Sequence, residues 1–347
     1  MFHHAATTYC ALILAVFIAL QPRANAAIIL QYHHVSSDTP ASTSISVTQF
    51  EQHLRLVQQQ GFKVVPLSTI ISALQHKKPL DDKWLAITFD DGFISVFTTA
   101  RPLLKQFNYP YTVFLSPALI DKAEGPVMNW QQIKTLQQEG VIIANHSSYH
   151  DNLAVPRKGE SAAAWRFRVR QDIELAERQL KERLGQSPGW LAYPYGHFSA
   201  ALEQLVAELG LIGIGQQSGA VGPGVSLTRI PRFPSAGSYA ALDSIGSKLN
   251  TLAMPVTDYR GADPATGQNP PTLTLEVETK DLDRHALRCY FRGAAIPVQW
   301  LTDQRFSTSA EQPLRGGHLR YNCTAPSKTQ PKRYYWFSQP WVYDANP

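Results

Sequence analysis

One feature constrains this chain more than any other. From Ala27 to Pro255, short apolar runs alternate with segments of helical period, about seven times over. "AIILQYHHV", "KVVPL", "WLAITF", "YTVFLS", "VIIAN", "GWLAYPYG", "LIGIG" and "LTRIPRF" read as strands. Between them lie helical patterns such as Phe50, Leu54 and Val57, stopped at Gly61. Asn129 and Gly140 frame another helix, and a long one runs from Ser161 to Leu184. This order predicts a parallel α/β sheet or barrel. Such folds put chemistry at the carboxyl ends of their strands.

The texture changes after Met254. Residues 256–271 are rich in Pro, Gly and Asp and read as a linker. Residues 272–347 hold short segments of strand-like alternation without helical period, which predicts a small all-β sandwich domain. Its aromatics, in "RYYWFSQPW", read as sandwich core or as a surface that stacks on sugar rings.

At the other end, "ALILAVFIAL" is an apolar run too short to span a bilayer comfortably, and "ANA" at Ala24–Ala26 follows it. Residues 1–26 therefore read as a signal peptide cut after Ala26, with a periplasmic or secreted destination. No Lys or Arg precedes the apolar run, so an uncleaved anchor stays open. No later segment is apolar enough to cross a membrane. The cysteines beyond the signal, Cys289 and Cys323, read as one disulfide in an exported chain, with two buried thiols as the alternative. The net charge of +5 is spread without a long run of like charge, so no nucleic-acid footprint is present.

Three motifs follow three separate strands: Asp90-Asp91-Gly92, His146 to His150, and Tyr193 to Gly196. Alone, Asp-Asp-Gly reads as an ordinary turn. Two adjacent carboxylates at the end of a buried strand repel, unless a cation sits there. Histidines four apart share a face on one helical turn, and neutral imidazole suits Zn²⁺, Ni²⁺ or Co²⁺. In isolation such a pair is a surface feature. Beside an Asp pair it predicts two His and one carboxylate on a metal, with positions left open for water and substrate. The second carboxylate is then free to take a proton from the attacking water.

With these motifs together, the sequence resembles the polysaccharide deacetylases of the NodB-homology type, carbohydrate esterase family 4, over residues 27–255. "TFDDG" and "HSSYH" carry the resemblance. It implies a distorted (β/α) barrel of about seven parallel strands and removal of N-acetyl groups from N-acetylated sugar polymers, usually with zinc. By resemblance, Asp90 is the base, and Asp91, His146 and His150 are the metal ligands. Ser147 supports the ligand loop, and the backbone N–H of Tyr195 in "YPYG" steadies the oxyanion. "LQYHHV", "AYPYG" and "LTRIPRF" look like the branch of exported poly-β-1,6-N-acetylglucosamine deacetylases.

Two departures stand out. Ala192 occupies the place of an Arg that tunes the base in many members, so Arg229 or Arg232 is expected to substitute, Arg229 first, with an ordinary surface salt bridge as the alternative for either. The late Leu-x-His that supplies the general acid is missing, which moves that role to His33. These departures also leave open a catalytically weak glycan-binding or polysaccharide-assembly protein. The same site chemistry would serve an O-acyl esterase.

Overall fold

The computed structural model describes residues 26–123, 125–316 and 319–343. The expected signal segment lies, up to residue 25, outside the described residues. Eight strands form one parallel sheet: β1 (Ile28–Tyr32), β2 (Lys63–Val64), β3 (Trp84–Phe89), β4 (Tyr111–Leu115), β5 (Ile142–Asn145), β6 (Trp190–Ala192), β7 (Ile212–Ile214) and β8 (Phe233–Pro234). Their order is β8-β1-β3-β4-β5-β6-β7, and β2 pairs with the amino end of β3. The segment leading into β8 joins the two edges. Ile230 exchanges backbone hydrogen bonds with Gly213 and Gly215 beside β7, and three residues later Phe233 pairs with Leu30 of β1. The sheet thus curls into the distorted barrel that the alternation and the resemblance imply. "LTRIPRF" is mostly irregular, because it turns this corner.

Strand alternation sorts the side chains. Ile28, Leu30, Tyr32, Leu85, Ile87 and Phe89 face outward and share a cluster with α1 (Val47–Gln59), α3 (Arg101–Phe107) and α4 (Trp130–Gln138). Ala27, Ile29, Ala86, Phe114, Ala144, Ala192 and Ile214 face inward, and α2 (Leu67–Gln75) packs Leu67, Ile70 and Ile71 into the same cluster. One residue further along each inward row the chemistry changes. Gln31, Thr88 and Asp90 continue the rows of Ile29 and Ala86 and are fully buried. The interior is therefore apolar at the amino ends of the strands and polar at their carboxyl ends. Capping boxes at Ser46 and Asn129 fix α1 and α4, and Ser161 starts the long α5 (Ala162–Leu184).

The expected linker is corrected by the structure. Val256–Gly261 is a strand, paired antiparallel with Thr272–Val277 through two register shifts, and Thr251–Ala253 already pairs with Tyr334–Trp336. The Pro- and Gly-rich texture conceals a bulged edge strand. The two C-terminal sheets, of five and four strands, bury Leu273, Leu275 and Phe306 against Cys289, Tyr321 and Cys323 in one cluster, as a sandwich does. Cys289 and Cys323 are bonded register partners on neighbouring strands of one sheet, so the disulfide staples a strand pair.

Candidate active site

The carboxyl ends of β3, β5 and β6 open on one mouth. Asp90 completes the inward row of β3 and is 0% exposed. Asp91 would point away from it in a continuing strand. Instead Asp91 and Gly92 both take left-handed backbone conformations, with φ of 70° and 71°. The turn swings the Asp91 carboxylate back to the mouth. Glycine is required at position 92, since a Cβ there would sit 3.0 Å from the Leu115 Cβ as well as at positive φ.

Asp91 Oδ1 lies 3.2 Å from Nε2 of both His146 and His150, and the three atoms lie within 4.8 Å of one another. The shared helical turn expected for His146 and His150 is not what brings them together. "HSSYH" is a loop, with Ser147 and His150 at φ of 61° and 58°. Side chains over-determine this loop. Asn145 Oδ1 accepts from Ser147 N at 2.7 Å, Ser147 Oγ accepts from His150 N at 2.9 Å, and Asp172 Oδ1 of α5 accepts from Ser148 N at 2.7 Å.

These residues fit a metal. Nδ1 of His146 lies 2.8 Å from the Ala192 carbonyl, which can only accept, so Nδ1 carries the proton and Nε2 offers a lone pair. Buried His146 Nε2 and Asp91 Oδ1 then face each other without a well-formed hydrogen bond. Two lone pairs at 3.2 Å need a positive charge between them. Burial would raise Asp91, but His146 and His150 hold it well below the usual carboxylate range. Burial would lower His146, but Asp91 draws it up. Two imidazoles and a carboxylate are a donor set for Zn²⁺, Ni²⁺ or Co²⁺.

Asp90 belongs to a different set of partners. Arg232 grips it with Nη1 at 2.7 Å from Oδ1 and Nη2 at 2.8 Å from Oδ2, and Gln31 Nε2 donates to Oδ2 at 2.8 Å. Burial would raise Asp90, but Arg232 leads the groups that hold it below its ordinary value. Arg232 is itself fully buried, donates through Nε to the Gly215 carbonyl at 2.9 Å, and lies over the Phe114 ring. The small Ala192 and Ala144 share that interior with Phe114.

Arg229 is not brought to this site, contrary to expectation. It pairs with Glu203 and packs against Phe198 and Tyr259. Position separates them: Arg229 lies in the bend before Ile230, and Arg232 directly precedes β8, whose Phe233 pairs with Leu30 of β1. Strand alternation from Ile29 reveals Gln31, which sequence reasoning missed. Asp172 left no local signal.

His33, just past β1, has Nε2 3.3 Å from Gln31 Nε2 and 4.0 Å from Asp91 Oδ2. Burial lowers it, against the pull of Asp91 and Asp90. Tyr195 sits at φ 61° with its ring 4.7 Å from that of His150. Next to it, Gly196 is fixed by space: a Cβ would lie 2.5 Å from the Gln216 Cβ.

The chain is similar in sequence and fold to known proteins. The family model "Polysaccharide deacetylase" matches residues 77–214, a span that holds Asp90, Asp91, His146, His150 and Tyr195 but neither His33 nor Arg232. YxkH, a polysaccharide deacetylase candidate of Bacillus subtilis (strain 168), is 30% identical over 141 residues, 39% of this chain. The chain thus spans only 48% of that relative. The poly-beta-1,6-N-acetyl-D-glucosamine N-deacetylase of Staphylococcus aureus (strain MRSA252) is 24% identical over 234 residues, 62% of this chain and 80% of that protein. Among solved structures, the BpsB deacetylase domain of Bordetella bronchiseptica aligns with a TM-score of 0.52 at 27% identity, over 60% of this chain and 95% of that one.

Proposed function

We propose that this chain, whose residues 77–214 belong to the polysaccharide deacetylase family, hydrolyses the linear amide of N-acetylglucosamine units in an exported polysaccharide. The observation that carries the reading is the division between two adjacent carboxylates. Asp91 faces His146 and His150, and Asp90 faces Arg232.

A cation held by Asp91, His146 and His150, Zn²⁺ in the first instance and Ni²⁺ or Co²⁺ as alternatives, would acidify water and polarise the acetamide carbonyl. Asp90, kept ionised by Arg232, takes the proton of the attacking water. The water oxygen bonds to the acetyl carbon, and the Tyr195 N–H donates to the carbonyl oxygen as it gains charge. The C–N bond then breaks. His33 passes the proton taken up by Asp90 on to the departing amine, and acetate leaves. His33 and Arg232 supply the two functions whose usual positions are altered, which favours turnover over a scaffold that only binds glycan. The expected signal segment supports action in the periplasm or after secretion. Among the described residues no helix is long and apolar enough to cross a membrane.

The test is acetate release from β-1,6- and β-1,4-linked N-acetylglucosamine oligomers, with and without a chelator. Chelator-sensitive release is expected, with the β-1,6 oligomer preferred. Oligomer binding without release would favour the glycan-binding or assembly reading, and release from O-acetyl esters alone would favour an esterase.

A further inference from the structure

The aromatics of "RYYWFSQPW" divide by exposure. Tyr335 and Trp341 are buried, Trp336 packs on Phe233 of β8, and Phe337 lies against Tyr259. Tyr334 is 51% exposed and lines a groove of about 460 Å³. Three elements build it: Gln60 at the end of α1, the helix Leu242–Leu249 with Leu242, Asp243 and Gly246, and the β domain with Lys332 and Tyr334. The groove lies opposite the catalytic mouth. The Gln60 carbonyl accepts from Nζ of Lys83, the residue before β3, and Arg333, beside Tyr334, pairs with Asp82 at 2.7 Å. Both anchors are at the amino ends of the strands. Gly246 sits inside a helix, where glycine is disfavoured. Neither positive φ nor crowding requires it, since a Cβ there would meet only Gln60 Nε2, at 3.9 Å. Its effect is to keep the groove open. Asp243 and Lys332 line that space, and among the described residues neither side chain has a hydrogen-bonding or ionic partner.

We infer that this groove is a second glycan-binding site, remote from the reacting amide, which holds a further stretch of the same polymer. The inference rests on the deacetylase reading. Tyr334 and Leu242 offer apolar surface to the C–H face of a sugar ring. The Asp243 carboxylate accepts from ring hydroxyls, and Lys332 and the Gln60 amide donate to an acetamide carbonyl. One carboxylate and one ammonium cancel, so the groove suits an uncharged sugar and not a polyanion. Its volume falls within the range of about 300–1,000 Å³ usual for small-molecule sites. Two contacts on one chain reinforce each other, because the first sets a high local concentration for the second. Long polymer is therefore held more tightly than short oligomer.

The test is calorimetric binding and acetate release with the full, Zn²⁺-loaded chain, on long poly-β-1,6-N-acetylglucosamine and on its trimer. Tyr334→Ser removes the exposed ring, and Gly246→Leu fills the groove with a better helix former. Each should weaken polymer binding and raise the polymer KM about 3- to 10-fold, the size expected of one aromatic contact. The kcat and the trimer values should stay as they are, and the melting temperature should not fall. Leu301→Ser, which changes an exposed side chain elsewhere on the β domain, should leave polymer binding intact. No polymer binding by the native chain, or unchanged polymer affinity in Tyr334→Ser or Gly246→Leu, would overturn the site. So would equal weakening of polymer and trimer, or a loss of the same size in Leu301→Ser. Acetate release from the trimer by the native chain reports on the deacetylase reading alone. Polymer binding that is sensitive to Tyr334→Ser, without any release, would end that reading and keep the site.

Discussion

Replacing Arg232 by Gln removes the counter-charge of Asp90 and leaves the carboxylate fully buried. The native pair has two charge-assisted hydrogen bonds of 2.7 and 2.8 Å between groups that are both 0% exposed. Breaking such a pair from one side costs about 3–5 kcal/mol. Removing an adjacent opposite charge also raises a carboxylate pKa by about 1–3 units. Burial is the largest influence on Asp90 and already acts upward; without Arg232 it is opposed only by His146, His33 and the Gln31 N–H, so the value rises. In the native chain the folded value lies below the unfolded one, so Asp90 contributes stability above the ordinary carboxylate range and loses it as pH falls. In Arg232→Gln the order is reversed: the penalty is full at high pH and shrinks as pH falls through the raised value. Two assays read this. Denaturant melts of chelator-treated protein at pH 8 and pH 5 should show a smaller deficit at pH 5. In metal-loaded protein the acidic limb of kcat/KM should move up by about 1–3 pH units. Arg232→Lys should fall between, because an ammonium keeps the charge and loses the two-pronged grip. Arg229→Gln should leave the limb in place. An acidic limb that stays put in Arg232→Gln would refute Asp90 as the titrating base.

Other outcomes follow from the same geometry. Asp172→Ala frees the Ser148 N–H and loosens the "HSSYH" loop, so metal affinity should fall about 10- to 100-fold in a chelator competition. Gly196→Ala places a Cβ 2.5 Å from the Gln216 Cβ at positive φ, and should cost at least about 1 kcal/mol in a denaturant melt. Its kcat should fall further than its KM rises, since the Tyr195 N–H is displaced. Buried His53 is pulled down to about 4, chiefly by burial. Its folded value lies below its unfolded one, so stability should fall by about 3 kcal/mol from pH 6.5 to pH 4. His53→Gln should remove that slope from the acid denaturation curve.

Much of the fold was legible because it is written in local periods. Helices such as Val47–Gln59 and Trp130–Gln138 carry their own caps. The strands that end in Phe89, Asn145 and Ala192 carry their own apolar runs. What the sequence concealed depends on closure and on distant partners. Arg232 reaches Asp90 only because Ile230–Pro234 spans the gap between β7 and β1. A spacing of four between His146 and His150 suggests a helical turn, yet the loop is held by Asp172, more than twenty residues away. Val256–Gly261 looked like a linker because its pairing is broken by register shifts, which blur the alternation that marks a strand.

The central claim is that neighbouring carboxylates have separate tasks. It is tested most directly by measuring bound metal and acetate release together in Asp90→Asn and Asp91→Asn. Asp90→Asn should keep its metal and lose turnover by at least about 100-fold, and Asp91→Asn should lose both. Loss of metal in Asp90→Asn, or full metal content in Asp91→Asn, would contradict the account.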